Sequence, residues 1–237
     1  MAYELYYWTG IQGRGEYVRL ALEEAGADYV DVARERGDRA IADFSRTVAT
    51  PSFAPPFLRD GDVVVGQTAA ILLYLGGRLG LAPAEERLKL WTHQIQLTIA
   101  DFVLEAHDVH HPVGAEKYYE EQKPEARRRA GEFREARVPK FLTWFETILE
   151  RNPAGDAFLV GDSLTYADLS LFQVMSGLDY GFPRLMARVG GGYPKVRALV
   201  ARIAERPRIK VYLASDRRLP NSEDDLFRHY PELDGAA

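Results

Sequence analysis

Cysteine is absent from all 237 residues. That excludes disulfides, thiolate metal centres and any nucleophilic thiol supplied by the protein, and it is compatible with a reducing compartment. Positive charge is not in excess: 30 Lys and Arg stand against 35 Asp and Glu, for a net charge of −5. No overall basic field therefore draws the chain toward nucleic acid or anionic lipid. Long apolar runs are also missing. The densest, AAILLYLGG at 69–77, is far too short to cross a bilayer, and the MAYELYYW start has neither the basic residues nor the apolar stretch of a signal peptide. The expectation is a soluble, cytoplasmic protein without nucleic-acid or membrane partners.

What is present is ordinary for a globular protein: 46% hydrophobic and 27% charged residues, in a chain long enough for one large domain or two modest ones. YELYYW (3–8) reads as a short buried strand. Val18, Ala21, Leu22 and Ala25 then fall on one helical face, which Gly26 ends. DYVDVA (28–33) reads as a second strand, and 34–52 as a long loop with at most one helical turn. PFL and VVV flank RDGD, a hairpin signal. Gln67-Thr68 is expected to cap a helix running to about Gly76, with the threonine oxygen taking an orphan N–H. Beyond 80–88 the pattern is helical throughout, with seams at Trp91, Ile95, Thr98, Phe102 and Ala106 and at Val138, Phe141, Leu142, Phe145 and Leu149. Thr165 and Asp168 in TYAD form a capping-box signature, and the polar tail from Leu219 carries little periodicity.

The glycines of YYWTGIQGRGEYVR are spaced G-x-x-G-x-G, the reverse of the dinucleotide fingerprint. A nucleotide fold would continue with parallel strand–helix units; this chain turns to a hairpin. The order β-α-β, loop, β-β-α is thioredoxin-like, and an all-helical second half narrows it further. With APPFLRDGDVVVGQT, FLVGDSLTYADLSLF and ERPRIKVYLAS in the same order, the sequence resembles the cytosolic glutathione transferases, in particular the tyrosine-dependent pi, mu and sigma classes. The resemblance covers nearly the whole chain. It implies an α/β thioredoxin-like N-terminal domain (1–79), a linker (80–88) and an all-α C-terminal domain (89–237), assembled as a homodimer.

The resemblance further implies an enzyme of detoxification that conjugates glutathione to a small hydrophobic electrophile. A non-catalytic glutathione-binding scaffold and a glutathione-dependent isomerase or peroxidase are the alternatives. Tyr7 matches the tyrosine whose hydroxyl stabilises the glutathione thiolate. The turn is one residue longer than in the pi and mu classes, which leaves Tyr6 and Thr9 open as donors. An ordinary thiol ionises near pH 8.5, and bringing it to about 6.5 takes roughly 2.7 kcal/mol. One hydrogen bond to a charged group supplies about 1.5–3 kcal/mol of this. The glycines are expected to let the backbone approach the tripeptide.

Pro55 and Pro56 match the family's cis-proline region, Pro56 at the cis position, with a cis Ala54–Pro55 bond as the alternative. Gln67 and Thr68 match the pair that receives the γ-glutamyl carboxylate, and Asp101 the acid that reaches the neighbouring subunit's glutathione. Arg14, Arg39 and Arg46 are candidates for ligand carboxylates. Trp8, Thr9 and Gly10 of the turn, with His107 and His111, are expected to wall the electrophile pocket. His107 and His111 stand one helical turn apart, but zinc needs three or four ligands, so no metal is expected.

Overall fold

In the computed structural model, which describes residues 2–235, the short strand β1 (Tyr3–Tyr6) lies inside a four-stranded sheet. It pairs in parallel with β2 (Tyr29–Asp31) and antiparallel with β3 (Phe57–Asp60). The RDGD turn returns β3 into antiparallel β4 (Val63–Gly66), giving the order β2-β1-β3-β4 of a thioredoxin-like sheet.

The two-residue period of a strand sends Leu5 and Tyr6 to opposite faces. Leu5 packs with Val18 and Leu22 of α1 (Gly15–Ala25) and with Ile71 and Leu75 of the helix after the hairpin. Tyr6 packs with Val32, Ala33, Ile41 and Phe57. This second face is covered by α2 (Val32–Arg36) and α3 (Arg39–Ser45), where the sequence predicts the end of a strand and a loop. Five apolar residues, Val32, Ala33, Ala40, Ile41 and Phe44, cover that face, too few in either helix to produce a readable helical period.

The helix after the hairpin, α4 (Thr68–Arg78), starts differently from the prediction. Gln67 is the cap residue, at φ 66° and ψ 121°, and its side chain makes no capping bond. The Thr68 hydroxyl instead donates to the Arg14 carbonyl at 3.4 Å, tying α4 to the start of α1.

The second half is all-helical: α5 (Glu86–Asp108), α6 (Lys123–Glu132), a π-helical turn (Phe133–Arg137), α7 (Val138–Arg151), α8 (Tyr166–Gly181), α9 (Pro183–Val189), α10 (Pro194–Ala204) and α11 (Pro207–Leu213). Helix α8 is its axis; only Ser176, Asp179 and Tyr180 escape burial. The capping box forms at its start, where Asp168 accepts from the Thr165 N–H and hydroxyl, both at 2.7 Å, and also from the Leu159 N–H at 2.8 Å. No helix among the described residues is long and apolar enough to cross a membrane.

The tail is not the free polar segment its composition suggests. Leu226, Phe227 and Leu233 are buried, and the Phe227 ring occupies the space beside Gly177, where a Cβ would lie 2.2 Å from it. Tyr230 stacks on Tyr119 at 4.0 Å, and Asp234 accepts the Arg184 and Leu185 N–H groups at the start of α9. An isolated apolar pair followed by single anchors has no period, so sequence pattern alone does not reveal it.

Candidate functional site

Tyr7 leaves β1 and folds back over the start of α1. A Cβ on Gly13 would lie 2.0 Å from the Tyr7 hydroxyl, and one on Gly15 2.6 Å from Cγ. Gly13 and Gly15 therefore make room for Tyr7 itself, a use the sequence does not announce, while at Gly10 a Cβ would meet nothing within 4 Å. The Arg14 N–H donates to the Tyr7 oxygen at 2.9 Å, which leaves the phenolic proton free to be donated onward. Burial raises the Tyr7 pKa, against the lowering effects of that N–H and of the Arg14 and Arg19 charges, so the group is a neutral donor at physiological pH.

The two alternative donors are committed elsewhere. Tyr6 lies on the opposite face of the sheet, stacked between Phe44 and Phe57, and its hydroxyl donates to Glu4 at 3.1 Å. Burial and the Glu4 carboxylate push its pKa up to about 12. Thr9 gives its N–H and hydroxyl to Asp38, at 3.0 and 3.4 Å, and lines a separate depression beside Tyr29 and Arg217.

Arg14, which holds Tyr7 through its N–H, also lines a cleft of about 350 Å³ between α1, α4 and α5. Gln67 and Thr68 form its wall at the start of α4. The N–H groups of Thr68, Ala69 and Ala70 belong to the first turn, which has no intrahelical acceptors and carries the positive end of the helix dipole. The same cleft is lined by Tyr17 and Gln96, whose hydroxyl and Oε1 are buried without a hydrogen-bond partner among the described residues. Of the two proline bonds, Pro55–Pro56 is the cis one. Pro55 offers a ligand its carbonyl and no N–H.

The remaining predicted residues do not converge on that cleft. Arg46 pairs with Asp43 at 3.0 Å on exposed α3, and Arg39 reaches the same carboxylate at 3.5 Å. Asp101 is exposed on α5, and Trp8 and Gly10 are exposed on the turn. His107 and His111 stack on each other at 4.8 Å at the end of α5. Among the described residues no group of three or more His, Cys, Asp or Glu could hold a metal ion.

The histidines are ordered by the tail. His110 Nε2 lies 2.9 Å from the Leu226 carbonyl, which can only accept, so Nε2 carries the proton. His110 Nδ1 is then an acceptor, and His111 Nδ1, 2.6 Å away, must donate to it. Burial lowers the pKa of all three, His110 to about 3 and His111 to about 4; Arg228 adds to this, while Asp108 opposes it at His107 and His111. Histidines in an unfolded chain titrate near 6.5. Below that pH the unfolded chain binds protons the folded one refuses, so stability is expected to fall as pH drops through 6.5 toward 4. Asp168, raised to about 6 by burial, gains its proton in the folded state and partly offsets the loss below that pH. Urea midpoints measured from pH 7.5 to 5 should decline, and less so in His111→Gln; equal slopes would rule this origin out.

Four functional-site neighbours escaped the sequence reading: Gln12, Arg19, Gln173 and Asp225. Arg19 is fully buried, with Nε 2.7 Å from Asp31 and one terminal nitrogen 3.1 Å from the Gln12 carbonyl. The Gln12 amide donates to the Leu219 carbonyl at 2.6 Å and accepts from Gln173 at 2.8 Å. Asp225 accepts the N–H groups of Gln12 and Gly13 at 3.0 and 2.8 Å. The only sequence signal for this last contact is the apolar Leu226-Phe227 pair set in a polar tail.

Residues 107–216 match the family model described as glutathione S-transferase, C-terminal domain. Over 220 residues the chain is 28% identical to glutathione S-transferase P 1 of Xenopus laevis, spanning 91% of this chain and 93% of that one. The crystal structure of the glutathione S-transferase from Ascaris lumbricoides superposes with a TM-score of 0.68 at 25% identity, covering 94% of this chain and 99% of the other. A pi-class glutathione S-transferase of Onchocerca volvulus has the same fold, with a TM-score of 0.69 at 22% identity over 90% and 92% of the two chains.

Proposed function

We infer that this chain is a glutathione transferase, an enzyme that uses glutathione as co-substrate and joins its sulfur to a small hydrophobic electrophile. The observation that carries the reading is the Tyr7 hydroxyl, its own proton uncommitted, fixed by the N–H of Arg14, a residue that lines one cleft together with the N-terminus of α4.

In this reading Tyr7 donates its hydrogen bond to the glutathione sulfur and stabilises the thiolate. The γ-glutamyl carboxylate meets the Thr68 N–H, the Gln67 amide and the helix dipole. Arg14 completes the polar surface around it. The Pro55 carbonyl is the one backbone group at that position able to bond the cysteinyl amide. The thiolate then attacks the electrophilic carbon, a carbon–sulfur bond forms, and the leaving group departs with its electron pair. Thiolate stabilisation and proximity supply the rate enhancement.

The enzyme is proposed to act in the cytosol as a homodimer. Leu90, Leu97 and Leu104 recur every seven residues on α5 and are all exposed, as are Leu73 of α4 and Val63 of β4. Phe53, in the loop before the proline pair, is wholly exposed. A second copy of the chain would bury these groups and bring Asp101 toward the neighbouring site.

The test is retention on immobilised glutathione, followed by conjugation of glutathione to an aryl halide. Both are expected to be positive, and the complex should show thiolate absorption in the ultraviolet at neutral pH. Retention without turnover would leave a binding scaffold in place of an enzyme.

A further inference from the structure

We propose that Asp225, in the C-terminal tail, is a positioning residue for the thiolate site: its carboxylate fixes the turn whose next N–H holds the Tyr7 hydroxyl. This rests on the glutathione reading above and adds a component from the opposite end of the chain.

Three successive N–H groups of the turn have defined acceptors. Those of Gln12 and Gly13 go to the two oxygens of Asp225, at 3.0 and 2.8 Å, and that of Arg14 goes to Tyr7 at 2.9 Å. Such a run of N–H groups is a concave anion site, and here the anion is supplied by the protein. Gln12, Gly13 and Asp225 are all buried, so without the carboxylate two N–H groups would lack partners in a dry environment. The turn would shift to find others, and the Arg14 N–H would move with it. Gly13, at φ +49° and with no room for a Cβ beneath Tyr7, leaves little freedom to absorb the shift locally.

The tail does not need Asp225 to stay in place. Phe227 against Gly177, Tyr230 on Tyr119, Asp234 at the start of α9 and the His110 bond to the Leu226 carbonyl anchor it independently. Gln12 is held as well by Arg19, Leu219 and Gln173. What only Asp225 does is satisfy the two N–H groups immediately before the one that orients the phenol. Its charge works in a second direction. As an anion close to Tyr7 it helps keep the phenol protonated, and it also disfavours an anion at the sulfur. Positioning and charge thus predict opposite changes when the carboxylate is removed.

The experiment is a titration of the thiol in the glutathione complex by thiolate absorbance, with the pH profile of kcat/KM for an aryl halide alongside. In Asp225→Ala the apparent thiol pKa is expected to rise by about one unit, with a fall of about fivefold in kcat/KM at pH 6.5 and unchanged retention on immobilised glutathione. Asp225→Asn keeps the shape and one acceptor oxygen, should show a smaller rise, and decides the matter if the alanine variant does not fold. Asp234→Ala, which removes a tail anchor remote from the turn, should lower the melting temperature and leave the titration where it was. A lower melting temperature with an unmoved titration in both Asp225 variants would make Asp225 an anchor only. A downward shift would make it a charge only. Either result overturns the proposal. If the wild-type complex shows no thiolate, the glutathione reading itself fails; if it does and both Asp225 variants match it, only this proposal falls.

Discussion

Tyr7→Phe is expected to lower kcat for aryl halide conjugation by about 10- to 100-fold while leaving retention on immobilised glutathione intact. The size follows from the single bond removed. A hydrogen bond to a charged group contributes about 1.5–3 kcal/mol, and each 1.36 kcal/mol is a factor of ten in the fraction of thiolate. Retention should survive because the proposed reading holds the γ-glutamyl carboxylate at the start of α4, where Gln67 and Thr68 line the cleft, and not at the phenol. The substitution also strips the Arg14 N–H of its acceptor, so a drop of about 1 kcal/mol in stability should accompany the kinetic loss. Stopped at pH 9.5, where the thiol ionises unaided, the variant should recover most of the wild-type rate. A variant at full rate at pH 6.5 would remove Tyr7 from the chemistry. Tyr6 and Thr9 are then poor replacements, since Glu4 and Asp38 already take their protons.

Asp168→Ala is the substitution expected to cost most stability, about 3 kcal/mol or more. Its carboxylate is fully buried at the head of α8 and accepts three hydrogen bonds, two from backbone N–H groups of Leu159 and Thr165 and one from the Thr165 hydroxyl. Each buried N–H left unpaired costs about 1–3 kcal/mol, and loss of the helix cap belongs to the same sum. Burial opposes the charge, raising the pKa to about 6, so part of the loss is returned by relief of desolvation. Asp168→Asn, with one acceptor oxygen in place, should fall between. Urea unfolding at pH 7 measures both; a cost below 1 kcal/mol for the alanine variant would show that the helical half does not depend on this junction.

Legibility in the sequence tracked the range of the contact. The β3–β4 hairpin was readable because RDGD states its own turn chemistry within four residues, and the α7 seam because Val138, Phe141, Leu142, Phe145 and Leu149 repeat at helical spacing and are all buried. The capping box of Thr165 and Asp168 is equally local. Helices α2 and α3 are not readable: each is shorter than the window a period needs and covers the sheet with two or three apolar residues. The site was divided in the same way. Short motifs carry Tyr7, Gln67, Thr68 and the proline pair as candidates, and of these the structure places Gln67 and Thr68 on one cleft with Arg14. The use of Gly13 and Gly15 was not readable because their partner is a protein side chain packing back from β1. Arg46 was placed at the ligand although a neighbouring aspartate, Asp43, takes its charge. Gln12 and Asp225 went unnoticed because nothing in either segment alone announces a bond across 213 positions.

That separation has a consequence for how the protein is made. One face of the sheet packs on α1 and α4 through contacts confined to the first third of the sequence, while the other sides of the two helices pack on the helical half. The acceptor for the Gln12 and Gly13 amides lies 213 and 212 positions further along the chain. Those two bonds therefore close only after the whole helical half has been added, and the turn under Tyr7 is braced later than the sheet and hairpin beside it.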